Sequence, residues 1–155
     1  MKPVNSLPPT EECNCFAVRA AARHVSQAYD RFLAPTGLRT TQYSILARLK
    51  RKGPLTINAL AEDMVMDRTT LGRNILPLQR DGLITIKSAA SDRRAKELRL
   101  TKAGESRLRE AFEGWSRAQA RFEAAFGEKR AAGLRTLLRA AAASEFTRTS
   151  ATSTR

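Results

Sequence analysis

SDRRAKELRLTKAGE, residues 91–105, holds a turn, a strand and a helix start in one short run. Ser91-Asp92-Arg93-Arg94 is polar, basic and turn-prone. From Lys96 to Leu100 polar and apolar residues alternate, the pattern of a half-buried strand. Thr101 then stands where a helix cap belongs, with Glu105 in the first turn behind it. A strand-flanked loop with two adjacent arginines has a shape that enters a DNA minor groove, where narrowness concentrates negative potential.

Upstream, Leu83 to Lys87 reads as the strand that pairs with Lys96–Leu100, and Gly82 closes the helix before it. Asp67 caps that helix, which runs to Arg80 with Leu71, Ile75 and Leu78 inward at helical spacing. Pro77 falls inside it, removes an N–H donor to the Arg73 carbonyl, and predicts a bend after the first turns. Thr56 caps a short helix with Leu60, Ala61 and Met64 inward, joined to the next by a turn around Val65-Met66. Thr40 or Thr41 caps an earlier helix that carries Tyr43, Ile45, Leu46 and Leu49 and ends near Gly53-Pro54. Two short helices followed by a basic hairpin make a winged helix-turn-helix, expected over about 38–100.

Amphipathic helices flank that unit. Val18, Ala21, Ala22, Val25, Tyr29 and Phe32 mark one over about 13–34, stopped by Pro35 and Gly37. Leu108, Phe112, Trp115, Ala118, Phe122 and Phe126 mark a long one after Thr101, interrupted at Gly127. Leu134, Leu137, Leu138 and Ala141 mark the last. These stripes hold more apolar surface than a small winged helix covers, and dimerisation through about 13–34 and 102–145 is the economical explanation. The aromatics fit either a ligand cavity or a core and dimer seam, and the seam is the commoner use. The expected organisation is an arm over 1–12, a single mainly α domain over 13–145 and a frayed tail over 146–155.

Charge points to a polyanion. Twenty-eight Lys and Arg against 15 Asp and Glu leave a net charge of +13 among 155 residues, which suits nucleic acid first and an anionic membrane surface second. An arginine- and alanine-rich composition accounts for part of that excess. No apolar run approaches the ~18 residues of a membrane helix, and Met1 to Glu12 shows no secretory pattern, so a cytoplasmic protein without a membrane partner is expected. One histidine and one Cys-x-Cys pair fall short of a four-ligand zinc site. Neither metal nor cofactor is expected. The same poverty of histidine, of glycine-rich phosphate loops and of paired carboxylates argues against an enzyme.

The helix that Asp67 caps opens with Arg68, Thr69, Thr70 and Arg73, types that bond base edges and phosphates. A recognition helix uses its N-terminal residues in this way. Arg93 and Arg94 are the wing contacts to the minor groove. Asp92 structures the wing, either by holding an arginine or as a simple turn former.

Residues 13 to about 140 resemble the MarR family of winged-helix transcriptional regulators. The resemblance rests on Asp92-Arg93-Arg94 followed by Leu100-Thr101 and Gly104, and on Thr69-Thr70-Leu71 through Leu78 to Gly82-Leu83-Ile84. It implies a homodimer bound to double-stranded DNA at a palindromic operator, both chain ends building the dimer, the wings astride the duplex. A repressor released by a small molecule or an oxidant is the expected function. The alternatives are a nonspecific nucleoid-type DNA binder and a helical interaction protein without DNA binding.

Two effector sites are candidates. Cys13 and Cys15 open the first helix, whose N-terminus favours thiolate, with Arg19 one turn beyond Cys15. Cys15-Phe16-Ala17 followed by Tyr29 is similar to the organic-hydroperoxide-sensing branch of the family, which implies a redox sensor at Cys15 with Cys13 beside it. The chain carries Arg19 and Thr40 where that branch has its other tyrosines. Packing of two small residues at a dimer seam is the alternative. The family also binds aromatic acids or phenols, and Arg19, Arg23, His24, Tyr43 and Trp115 are the candidates for such a cleft.

Overall fold

A computed structural model describes residues 9–146. Its helices are α1 (Asn14–Leu33), α2 (Thr40–Lys52), α3 (Ile57–Asp63), α4 (Arg68–Arg80), α5 (Lys102–Phe126) and α6 (Glu128–Ala143), and its strands are β1 (Leu55–Thr56), β2 (Ile84–Ser88) and β3 (Lys96–Leu100). The described residues fall into two compact units, one ending at Ala118 and the other beginning at Gln119, so the boundary lies within α5. Residues 1–8 of the expected arm and 147–155 of the expected tail lie outside the described residues. Thr10–Glu12, which the arm was expected to include, forms a single 3-10 turn.

The starts of α3 and α5 follow local chemistry. Thr56 Oγ1 accepts from the Ala59 N–H at 3.1 Å and Thr101 Oγ1 from the Gly104 N–H at 3.0 Å, as side-chain caps do. α2 differs from expectation, because its cap residue is Arg39 rather than Thr40 or Thr41. Arginine has no acceptor. Asp30 of α1 supplies it instead, taking the Thr40 N–H at 2.7 Å, while Gln42 Oε1 takes the Arg39 N–H at 3.0 Å. α4 is continuous through Pro77 to Arg80.

Between α3 and α4 the chain makes a Schellman turn. The Met66 N–H donates to the Ala61 carbonyl at 2.9 Å and the Val65 N–H to the Glu62 carbonyl at 3.1 Å. This puts Val65 at φ 52°, a left-handed position usually given to glycine and uncomfortable for a β-branched residue.

The sheet is antiparallel with order β1-β3-β2. Leu98 pairs with Leu55 on one side and Ile86 on the other. The third strand, β1, was not foreseen, and β2 begins one residue later than the Leu83–Lys87 reading. Leu33, Ile45, Leu46, Leu60, Leu71, Leu78, Ile84 and Leu98 are the large side chains fully buried in the core, contributed by α1–α4 and the sheet. α5 approaches this core at two glycines. A Cβ on Gly104 would lie 2.1 Å from the Leu83 carbonyl oxygen, and one on Gly114 would lie 2.5 Å from that of Phe32. Much of the remaining apolar stripe stays outside. Phe16, Val18 and Phe112 in the first unit, and Leu137 and Leu138 in the second, are exposed.

Candidate nucleic-acid interface

α3, the Val65 turn and α4 form a helix-turn-helix braced from α2. Asp63 at the end of α3 pairs with Arg48 Nη1 at 2.9 Å and with the Lys52 ammonium, and Arg48 Nε reaches Met64 Sδ at 3.2 Å. The Lys52 hydrogen bond, then the Arg48 charge, holds the Asp63 carboxyl below the usual range. Lys50 ties α2 to the first turn of α5 through Glu105 at 2.9 Å. Its hydrogen bond and charge hold the Glu105 carboxyl down in the same sense.

The N-terminus of α4 is set by Asp67. Its Oδ1 accepts the Thr70 N–H at 2.8 Å, and its Oδ2 accepts the Thr70 hydroxyl at 2.6 Å. Those bonds, the hydroxyl first, keep the Asp67 carboxyl ionised below the usual range. The two threonines therefore differ. The Thr70 proton is committed within the protein, whereas the Thr69 hydroxyl has no partner among the described residues. Leu71, Ile75 and Leu78 face the core, and Arg68, Thr69, Thr70 and Arg73 are exposed.

The wing is the β2–β3 hairpin. Its loop is pinned by the Ala89 N–H to the Ala95 carbonyl (2.8 Å) and the Ala95 N–H to the Asp92 carbonyl (3.1 Å). Asp92 Oδ1 accepts the backbone N–H of Arg94 at 2.9 Å. Of the two readings of Asp92, this bond is the turn former's. Its short carboxylate closes an Asx turn and leaves both guanidinium groups outward. Arg93 and Arg94 are exposed, as are Lys87 and Lys96 on the hairpin strands. Those two lysines were missed: period-2 alternation puts Lys87 on the face opposite Ile86, whereas Lys96 shares the Leu98 face and is exposed because it pairs with Ser88 at the loop end of the hairpin. None of Arg68, Arg73, Arg93 and Arg94 has an ion pair or side-chain hydrogen bond among the described residues.

The other candidates separate. Cys13 is the cap of α1, its Sγ accepting the Phe16 N–H at 3.4 Å. Cys13 and Cys15 are free thiols and exposed. Tyr43 and Trp115 come together, ring centroids 5.9 Å apart, and Phe112 continues the stack at 5.8 Å. Burial pushes the Tyr43 hydroxyl pKa up. Arg19, Arg23 and His24 are exposed on α1 and share no hydrogen bond or ring contact with that stack. Among the described residues no cluster of three His, Cys, Asp or Glu side chains is placed to hold a metal, and no helix is long and apolar enough to cross a membrane.

A helix-turn-helix joined to a basic antiparallel hairpin defines a winged-helix DNA-binding protein. Comparison narrows the class. The MarR family model matches residues 38–96. The crystal structure of transcriptional regulator MosR of M. tuberculosis is 36% identical, with a TM-score of 0.74 over 88% of this chain and all of that one. MosR in complex with DNA is 39% identical, with a TM-score of 0.73 over 84% of this chain and 96% of that one. The organic hydroperoxide resistance transcriptional regulator of Bacillus subtilis (strain 168) is 29% identical over 90 residues, 58% of this chain. The match spans only 61% of that relative's length. The chain belongs to the MarR family and is a DNA-binding transcriptional regulator.

Proposed function

We propose that the protein is a cytoplasmic, homodimeric repressor that reads an inverted-repeat operator and releases it on oxidation. The observation that carries the DNA reading is the set of unpaired, exposed arginines on two elements of one unit, Arg68 and Arg73 on α4 and Arg93 and Arg94 on the wing. Arg48, Lys50, Lys52 and Arg99 are neutralised by carboxylates, whereas Arg19, Arg23 and Arg51 are exposed and, among the described residues, unpaired too but lie on α1 and α2, outside the helix-turn-helix and wing surface. α4 would lie in the major groove with Arg68, Thr69 and Arg73 toward base edges. Thr70, its hydroxyl held by Asp67, would accept rather than donate. The wing arginines would enter the minor groove. Residues 13–145 act as one regulatory domain by binding rather than by turnover. Dimerisation is supported by the exposed Phe16, Val18, Leu137 and Leu138 on the helices at the two chain ends. The test is selection of duplexes from a random pool. Enrichment of an inverted repeat with half-sites about one helical turn apart supports the reading, and enrichment of no sequence rejects it.

For the signal, the support is the exposure of both thiols and the position of Cys13 as the α1 cap, together with the organic hydroperoxide resistance in the name of the Bacillus relative. A hydroperoxide would oxidise the Cys15 thiolate to a sulfenic acid and leave as the alcohol. Attack by a Cys13 thiol, from either subunit, would expel water and form a disulfide, which a reductant reverses. That takes the Cys13 sulfur from the Phe16 N–H and disturbs the start of a dimer helix. Cys15→Ser should keep reduced-state DNA binding and lose the peroxide response. Release of DNA from the serine variant under peroxide would assign the cysteines to packing. The effector would then be sought among small aromatic molecules at the partly open Tyr43–Trp115–Phe112 stack.

A further inference from the structure

Two features of the outward face of α4 have no use inside the protein. Gly72 sits mid-helix, where glycine is less favourable than alanine, yet a Cβ there would meet no atom within 4 Å. One turn on, Leu76 is 64% exposed. At 100° per residue Thr69, Arg73 and Leu76 fall on one line opposite Leu71 and Leu78, with Gly72 on its flank. Between α4 and β2 that face opens into a groove of about 370 Å³, with Gly72, Leu76, Ile57, Ile75 and Ile86 on its apolar side and Arg68, Thr69 and Gln79 on its polar side. The helix thus carries a notch with an apolar lip, within a stripe that also bears arginine.

We propose that this notch receives the 5-methyl group of a thymine in the operator, with Leu76 making the apolar contact and Gly72 letting the base edge come close. The occupant follows from the neighbours. An apolar protein segment would strand the Arg68 and Arg73 charges that flank the notch, whereas a duplex satisfies them with phosphates and guanine edges and offers the thymine methyl as an apolar group in the major groove. Leu76 lies eight residues past Arg68, about 12 Å along the axis, within the span a helix presents to that groove.

The inference rests on α4 being the reading helix. The test uses the full chain and the duplex selected from random DNA, with each thymine replaced in turn, symmetrically in both half-sites, by deoxyuridine, which lacks only the methyl. One symmetric position should lower wild-type affinity about fifteenfold, or about fourfold per methyl. Leu76→Ala should lose a similar factor on the unmodified duplex and be indifferent to deoxyuridine there. Gly72→Ala should raise the melting temperature and weaken the same duplex. Equal deoxyuridine losses in wild type and Leu76→Ala, or no sensitive position, overturn the thymine contact while leaving DNA binding intact. Absence of any preferred duplex overturns the reading beneath it as well.

Discussion

At the residue scale the DNA-binding set divides by what each side chain is free to do. Arg68 and Arg73 lie on a rigid helix, and Arg93 and Arg94 on a loop held by the Asp92 turn. Arg93→Ala and Arg94→Ala should weaken binding across sequences with little change in preference. Arg68→Ala or Arg73→Ala should relax discrimination at particular base pairs by about 1–3 kcal/mol. Affinity measured over single-base operator variants separates the two patterns, and a uniform loss for all four removes base reading from α4. These arginines were legible because they stand off the Leu71/Ile75/Leu78 stripe. The commitment of the Thr70 hydroxyl to Asp67 was not, since it depends on a rotamer. Nor was the left-handed backbone of Val65, a residue that propensity would not put there. Val65→Gly should relieve that strain and raise stability by about 1 kcal/mol, a few degrees in melting temperature. An unchanged or lower melting temperature would show that the position carries no strain.

Elements whose signals are local were predicted closely. α4 has its cap and its stripe in consecutive sequence, and β3 has its alternation. β1 escaped notice because two residues make a strand only by pairing with Leu98 and Glu97, some forty positions away. The α2 cap escaped for a like reason, its acceptor Asp30 belonging to α1. Gly104, noted only as part of a family pattern, has a physical reason in the Leu83 carbonyl against it. Gly104→Ala should destabilise by about 1–3 kcal/mol in urea unfolding, and an unaffected midpoint would mean α5 shifts freely there. The Asp63 clamp between α2 and α3 gives a pH signature. Its carboxyl is depressed in the folded chain, so its contribution is full above the ordinary carboxylate value of about 3.9 and is lost as pH falls through the folded value. Asp63→Asn should cost about 1 kcal/mol or less at pH 7, with the gap to wild type closing below about pH 4. Parallel stability curves at all pH values would take the clamp out of the account.

For the whole molecule, the net charge of +13 and the exposed apolar residues bear on the two proposed partners, a polyanion and a second copy. Composition disclosed the first. The second is proposed from the surplus amphipathic stripe, to which the exposed Phe16, Val18, Leu137 and Leu138 belong. Light scattering at micromolar concentration should return twice the chain mass, and a stable monomer would remove the device that spaces two recognition helices. The most direct test of the central claim is a titration of the protein against its selected inverted repeat and a scrambled duplex of equal length at physiological salt. Preference for the repeat by about a thousandfold or more, with affinity falling steeply as salt rises, is the predicted result. Equal affinity for the two duplexes would contradict sequence reading and make the protein a nonspecific DNA binder.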